Sequence, residues 1–328
     1  MLPCLAVTLG DVCGIGPEIT IKALDVKEIY KVCKPVVIGD ANALKKAALI
    51  LNKKITILPP PWKKEIYPFP NHISLLEVSH LEERDLIYGK PTKNSAKASV
   101  EYIKTAVTLA LEKKVDGIIT CPVNKAIINE AGIPFSGHTE LLARLTKTKR
   151  YAMLFWGEKL KVALLTIHEP LKRVPLLVTE EKLIALIELV DTFFKKKFKF
   201  SPSIAVAGLN PHAGERGLMG EEEIKIITPT IEKAKKMGIN VNGPFPPDTV
   251  FHLAKNGYFD IVIAMYHDQG LIPFKLLHFY DGVNITIGLP IIRTSVDHGT
   301  AYDIAGKGIA NAGSLISAIC LAAEMAKQ

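Results

Sequence analysis

Three histidines stand just past three short apolar runs. "VALLTIHEPL" places His168 beyond one run, "AVAGLNPHAGE" places His212 beyond a second, and "IVIAMYHDQG" places His267 beyond a third. A single histidine in such a place is most often a capping or core residue. Three in equivalent places, each in a turn rich in Gly, Pro or Asp, point to a shared task. Three imidazoles that leave coordination positions open suit a divalent catalytic metal, Zn²⁺ first, with Co²⁺, Mn²⁺ or Mg²⁺ as alternatives. Such an ion would work as a Lewis acid, polarising a carbonyl or holding an alkoxide. Asp268, next to His267, can orient a ligand from outside the coordination sphere. The HxxH and HExxH spacings of single-helix zinc sites are absent.

A second set of residues suits an anion. "PFSGHTELLAR" carries Gly137, His138 and Thr139 directly before a helical pattern. A turn opening a helix offers backbone N–H groups, a hydroxyl and an imidazole to an anion. The ordinary alternative is Thr139 as a helix N-cap. Lys275 follows the apolar "LIPF", and Arg293 lies in "ITIGLPIIRTSVDHG". Arg293 is one of only six arginines among 41 basic residues. An arginine in an apolar strand suits bidentate recognition of phosphate or carboxylate; the ordinary alternative for it and Lys275 is a buried ion pair. Asn284 heads what reads as the same strand as Arg293.

The elements that must position these groups read as an alternation. Strand-like runs lie at 4–10, 34–40, 115–123, 161–167, 203–209 and 260–266, with amphipathic helical patterns between them. That order argues for parallel βα units, whose chemistry lies beyond the carboxyl ends of the strands. The Pro-rich segment 58–92 reads as irregular or as an edge excursion. Gly10, Gly14 and Gly16 form GxxxGxG, which is not the dinucleotide fingerprint GxGxxG. The tail "VDHGTAYDIAGKGIANAGS" reads as a ligand loop bearing His298, Asp303 and Lys307 before a closing helix.

Bulk properties narrow the class. The chain has 328 residues, 48% hydrophobic and 23% charged, which suits one large α/β unit or two domains. The net charge of +8 comes from scattered lysines, with no basic stripe interleaved with aromatics. This argues against nucleic-acid binding and suits an anionic small substrate. The five cysteines are odd in number and irregularly spaced, as expected of reduced thiols. The start "MLPCLAVTLGD" has neither the basic nor the apolar region of a signal peptide, and no run is long enough to span a membrane. A cytoplasmic protein is expected.

The motifs "GDVCGIGPEI", "SGHTELLA", "GLNPHAGE", "YHDQGLIPFK" and "NITIGLPIIRTSVDHGTAYDIAGKG" together resemble the 4-hydroxythreonine-4-phosphate dehydrogenase family of pyridoxal phosphate synthesis. The likeness runs from about residue 5 to the C-terminus and is least distinctive over 45–90. The first glycine turn and "HGTAYDIAGKGIA" also resemble loops of the isocitrate and isopropylmalate dehydrogenases. The resemblance implies an α/β fold of that type, with two α/β/α domains around a cleft. The first domain is expected over 1–130 plus 300–328, with a cofactor loop at 296–309, and the second over 131–299, with metal and dimer contacts.

The same resemblance implies His168, His212 and His267 as metal ligands in a site shared between the subunits of a homodimer. It implies substrate contacts from His138, Thr139, Lys275, Asn284 and Arg293. The loop with His298, Gly299, Asp303 and Lys307, together with Gly14, would hold NAD or NADP. The family's first turn usually reads Gly-Asp-Pro-Ala-Gly, and here it is Gly10-Asp11-Val12-Cys13-Gly14. The implied reaction oxidises 4-phosphohydroxy-L-threonine to 2-amino-3-oxo-4-(phosphooxy)butanoate, which decarboxylates to 3-amino-2-oxopropyl phosphate. A close alternative substrate is 4-phospho-threonate, which lacks the amine. Lys275, Asp248 and Asp268 are the candidates to take the hydroxyl proton.

Overall fold

A computed structural model of the chain describes residues 2–62 and 69–327. Its strands, in chain order, are β1 Cys4–Thr8, β2 Lys34–Gly39, β3 Thr56–Leu58, β4 His72–Glu77, β5 Gly117–Thr120, β6 Ala152–Trp156, β7 Lys161–Leu164, β8 Ile204–Ala207, β9 Val241–Phe245, β10 Ile261–Ala264, β11 Val283–Ile287 and β12 Ile292–Val296. The chain forms two compact units. One comprises residues up to Thr148 together with Leu289–Lys327, and the other comprises Lys149–Gly288. Segments 131–148 and 289–299, expected in the second domain, therefore lie in the first. The reason is pairing: β12 joins β5 through Ile292↔Gly117 and Arg293↔Ile118.

The first unit orders its strands β3-β4-β2-β1-β5-β12, all parallel. Leu5, Ala6, Val7, Val36, Val37, Ile38, Ile118 and Ile119 are wholly buried. Near-continuous apolar runs are what a parallel sheet covered on both faces requires. The helix Lys93–Leu111 begins with a reciprocal cap. Thr92 accepts from Ser95 N, and Ser95 Oγ accepts from Thr92 N at 2.9 Å. Ala96, Val100, Ile103 and Val107 then bury one stripe of that helix.

The second unit orders its strands β11-β6-β7-β10-β8-β9. β11 and β7 flank β6 antiparallel, and the remaining pairs are parallel. Its core gathers Val162, Leu164, Ala205, Val262, Ala264, Leu271 and Phe274. Leu271 and Phe274 belong to the helix His267–His278, which starts three residues after β10. Gly270 lets that helix sit close. A Cβ there would come within 2.7 Å of Val162 Cγ1, 2.8 Å of Leu164 Cδ2 and 3.1 Å of Ala264 Cβ.

All six strand runs read from the sequence are present as β1, β2, β5, β7, β8 and β10. Two readings are corrected. The Pro-rich stretch supplies β4, paired on both sides with β2 and β3, because "HISLLE" buries Ile73, Ser74 and Leu75. Asn284 and Arg293 lie on separate strands, β11 and β12, because Gly288 takes φ +92° and Pro290 follows it. Among the described residues no helix is long and apolar enough to cross a membrane. Among the cysteines, all free, Cys13, Cys33 and Cys121 are buried.

The close approach at Gly270 sets a stability expectation. Gly270→Ala gains up to about 1 kcal/mol of helix propensity and loses more by overpacking. The expected net loss is about 1–2 kcal/mol, read as a lower urea midpoint at unchanged slope.

Candidate active site

β7, β10 and β8 are consecutive parallel neighbours, so their carboxyl ends share one rim. The three histidines follow those three strands. The rings of His168 and His267 lie 5.6 Å apart between centroids, tilted by 42°. His267 Nδ1 bonds Asp268 Oδ1 at 2.7 Å. A carboxylate only accepts, so this contact puts a proton on Nδ1, and the neutral ring then carries its ligand lone pair on Nε2. Two imidazoles at this separation, one already oriented by a carboxylate, fit the donor chemistry of a divalent cation.

His212 reaches the rim differently. It opens a left-handed turn in which His212, Ala213, Gly214, Glu215 and Arg216 take φ of 53°, 54°, 79°, 42° and 56°. Each non-glycine residue there costs about 1–2 kcal/mol, so the turn needs anchoring. The anchor is Glu223, 2% exposed, in the π-helical turn Glu223–Ile227. Its Oε1 accepts from Leu209 N and Asn210 N, both at 2.8 Å, and its Oε2 accepts from Asn210 Nδ2 at 2.9 Å. Among the described residues of one chain, no three His, Cys, Asp or Glu side chains are grouped closely enough to hold a metal ion. His168 and His267 are brought together, and His212 does not complete their set within the chain.

In the first unit, the buried Arg293 and the half-buried His138, whose Nε2 is enclosed, form a polar centre. Arg293 is 3% exposed and donates from Nη2 to Thr120 Oγ1 at 2.8 Å. Burial pushes its pKa down to about 9, which leaves it charged at neutral pH. His138 is the first residue of the helix His138–Leu145; Gly137 is its N-cap, and Thr139 lies inside the helix, 2% exposed. The imidazole donates to the Cys121 carbonyl, while Nε2 is enclosed with no hydrogen-bond partner. The proton is therefore on Nδ1, and Nε2 offers a lone pair. Burial, then the Arg293 charge, pushes the His138 pKa down to about 3. A neutral ring with a buried lone pair receives a donor such as a hydroxyl; it does not donate to a phosphate oxygen.

The loop 296–309 is tied to the first glycine turn within the same unit. Ile15 N donates to Thr300 O at 3.0 Å, just after Gly14. Tyr302 Oη donates to the buried Asp11 carboxylate, and Asn124 Nδ2 donates to Tyr302 Oη at 3.0 Å. Burial holds the Asp11 carboxyl above its ordinary pKa, against the opposing bonds from Tyr302 and Cys13 N. Glu18, fully buried, accepts from Gly306 N and, at 3.0 Å, from Gly308 N. Lys22 donates to Gly308 O and Ala310 O at 2.8 and 2.7 Å. His298 Nδ1 bonds Gly299 O at 3.0 Å, and Asp303 and Lys307 are exposed.

Sequence reasoning missed Asp11, Glu18, Glu223 and Tyr302. Their partners lie far along the chain, so only Glu18 and Asp11 carried a signal, as acids in a glycine-rich turn. The other candidates are placed as follows. Lys275 is half-buried on the helix His267–His278, eight residues beyond His267, or about 12 Å along the axis. Asn284 is half-buried on β11 opposite Phe155. Asp248 is exposed in the first turn of the helix Pro247–Lys255, and Asp268 is exposed beside His267.

Residues 31–322 match the family model described as pyridoxal phosphate biosynthetic protein PdxA. The chain belongs to the PdxA family. It is 48% identical to the 4-hydroxythreonine-4-phosphate dehydrogenase of Desulforapulum autotrophicum, covering 99% of this chain and 96% of that protein. It is 45% identical to a protein of Oceanobacillus iheyensis provisionally named D-threonate 4-phosphate dehydrogenase, covering 99% of this chain and 98% of that one. The crystal structure of 4-hydroxythreonine-4-phosphate dehydrogenase from Klebsiella pneumoniae superposes with a TM-score of 0.90 at 42% identity, covering 100% of this chain and 99% of that one.

The neutral His138 of this PdxA chain makes stability depend on pH. Unfolding frees an imidazole that protonates near 6.5, whereas the folded ring holds off its proton to about 3. The folded state is thus fully favoured above 6.5 and loses ground as pH falls toward 3. Between pH 7.5 and pH 5, wild type should lose about 1–2 kcal/mol more than His138→Asn, measured by urea unfolding at both pH values.

Proposed function

We propose that this protein is an NAD- or NADP-dependent, metal-dependent dehydrogenase that oxidises 4-phosphohydroxy-L-threonine to a 3-oxo acid that then loses CO₂, in pyridoxine 5'-phosphate synthesis. The observation that carries the reading is likeness over the full length, at 48% identity, to a relative named for that activity. The side chains support it residue by residue. His168 and His267, with His212 from a second subunit, would hold a divalent cation. When bound, it would supply Lewis acidity that lowers the pKa of the substrate hydroxyl. When bound by the loop with Gly14, His298, Gly299, Asp303 and Lys307, NAD or NADP would supply the hydride acceptor.

The chain's own groups position and discharge the substrate. Arg293, charged and buried, attracts the phosphate or carboxylate, with Thr139, Lys275 and Asn284 as further contacts. The His138 lone pair accepts from a donor on the substrate. Asp268 is already bonded to His267, which suits it to orienting that ring. Lys275 or Asp248 is then left to take the hydroxyl proton.

A homodimer is part of this proposal. The helix His267–His278 and its end leave Ile272, Leu276, Phe279 and Tyr280 61–81% exposed, and Leu218 beyond the His212 turn is 81% exposed. Large apolar side chains bared along one helix and its end suit a subunit interface. A cytoplasmic setting with no nucleic-acid or membrane partner fits the composition.

A second reading is favoured by one specific likeness, the 45% identity to the relative named for D-threonate 4-phosphate. Both substrates carry a phosphate and a secondary hydroxyl, and they differ in the amine. The deciding assay follows reduction of NAD or NADP with each substrate, before and after chelation, with metals returned singly. Turnover of the amine-bearing substrate, abolished by chelator and restored by one divalent ion, is expected. His267→Ala should lower kcat/KM at least about 100-fold. Turnover of phospho-threonate alone would establish the second reading. Activity indifferent to chelator and to His267→Ala would overturn the metal-dependent mechanism.

A further inference from the structure

Gln269 is one of only two glutamines in the chain, and the other is the terminal Gln328. It is 9% exposed, two residues after His267. Its amide is used at both ends. Oε1 accepts from Met265 N at 2.6 Å, and Nε2 donates to Gly208 O at 2.8 Å. Met265 directly follows β10, and Gly208 directly follows β8. The amide thus spans two neighbouring strands just where their backbone ladder has stopped, after the pair Ile263↔Val206.

The links continue on both sides. Thr166, two residues before His168, donates from its backbone N and from Oγ1 to Met265 O at 3.2 and 2.7 Å. Beyond Gly208, the next two backbone N–H groups go to Glu223, which anchors the left-handed turn holding His212. A buried chain of polar contacts therefore runs Thr166–Met265–Gln269–Gly208, then through Leu209 and Asn210 to Glu223. It passes within a few residues of each of the three histidines.

We propose that Gln269 is a positioning residue for the metal-binding histidines, bracing the three strand ends that carry them; this rests on reading His168, His212 and His267 as ligands. A neutral amide suits the place. The Met265 N–H requires an acceptor, and the Gly208 carbonyl requires a donor. A carboxylate would set oxygen against the Gly208 carbonyl. A hydrocarbon would leave a backbone N–H and a C=O unmet in the interior. Ligand geometry tolerates little looseness, and outer contacts commonly govern metal affinity.

The test uses full-length protein with Co²⁺ alone as the probe, so that binding and visible absorption are read without turnover. Wild type, Gln269→Met, Gln269→Glu and Thr230→Val are compared. Thr230 is buried and bonded to Ile226 O, in the turn that also bears Glu223 but outside the chain of contacts itself, and serves as a stringent control for a lost buried hydrogen bond. Both Gln269 variants should bind Co²⁺ about 10–100-fold more weakly, with altered absorption, while Thr230→Val matches wild type. Wild-type affinity and spectrum in either folded Gln269 variant would overturn the proposal. Loss of cooperative folding in both would overturn it in favour of a purely structural role. Wild-type Co²⁺ binding by His267→Ala would show that the ligand reading itself is wrong, and the brace would fall with it.

Discussion

Parallel strand pairing is the constraint on which the second unit depends. A strand paired parallel to its neighbour must end on the same side, so β7, β10 and β8 deliver whatever follows them to one rim. Neighbouring strands stand about 4.8 Å apart, and the His168 and His267 rings, just past the ends of neighbouring strands, are 5.6 Å apart. Their spacing is close to that of the sheet they leave. His212 starts one strand further away, past β8, and needs a left-handed turn to be presented. The ladder cannot govern residues beyond its last pair. Side chains take over there: Thr166, Gln269 and Glu223 fasten the backbone that the sheet has released.

The first unit is organised by a buried charge. Arg293 sits on β12, 3% exposed, with Thr120 as one partner. Burying a guanidinium is unfavourable unless something in the interior uses it. Here its field has two effects. It favours negative charge nearby, and it helps keep His138 neutral. In the proposed function one cation would thus separate two recognition tasks: the guanidinium would address negative oxygen, and the imidazole lone pair would address a hydrogen-bond donor. The glycine turn and the loop 296–309 follow similar logic, with Glu18 and Asp11 satisfying backbone and hydroxyl donors that would otherwise be buried unmet.

What could be read from the sequence was what local pattern encodes. Runs such as "IVIAM" announce buried strands, and residues placed after them announce a rim, so the three histidines were legible together. The Pro-rich flank hid β4, because Pro59–Pro61 drew attention from the apolar "HISLLE" that follows. "YHDQGLIPFK" did not read as a helix because Gly270 and Pro273 are poor helix formers. Gly270 is tolerated because helix and sheet would collide without it. Pro273 sits in the second turn, where its missing N–H forfeits the bond to Gln269 O. Glu223, Gln269 and Tyr302 acquire meaning only from partners 13 or 14, 61 and 291 residues away. Side-chain partners at such separations leave no periodic trace in a local window of sequence.

Several places where this molecule departs from low-energy rules coincide with the proposed site. Four non-glycine residues from His212 to Arg216 lie in the left-handed region. A guanidinium is buried, and an imidazole is enclosed with an unpartnered nitrogen. Each departure costs stability, and each is held by long-range contacts rather than by local preference. The surrounding elements obey local rules closely, from the reciprocal Thr92–Ser95 cap to the acidic start and basic end of the helix Glu180–Lys197. That division follows from what each part must do. A scaffold is most stable when local and global preferences agree, whereas a site must expose a lone pair or a charge that folding alone would neutralise. The strain of the His212 turn therefore lies just past a strand end, where the sheet is rigid enough to hold it and the backbone is free enough to adopt it.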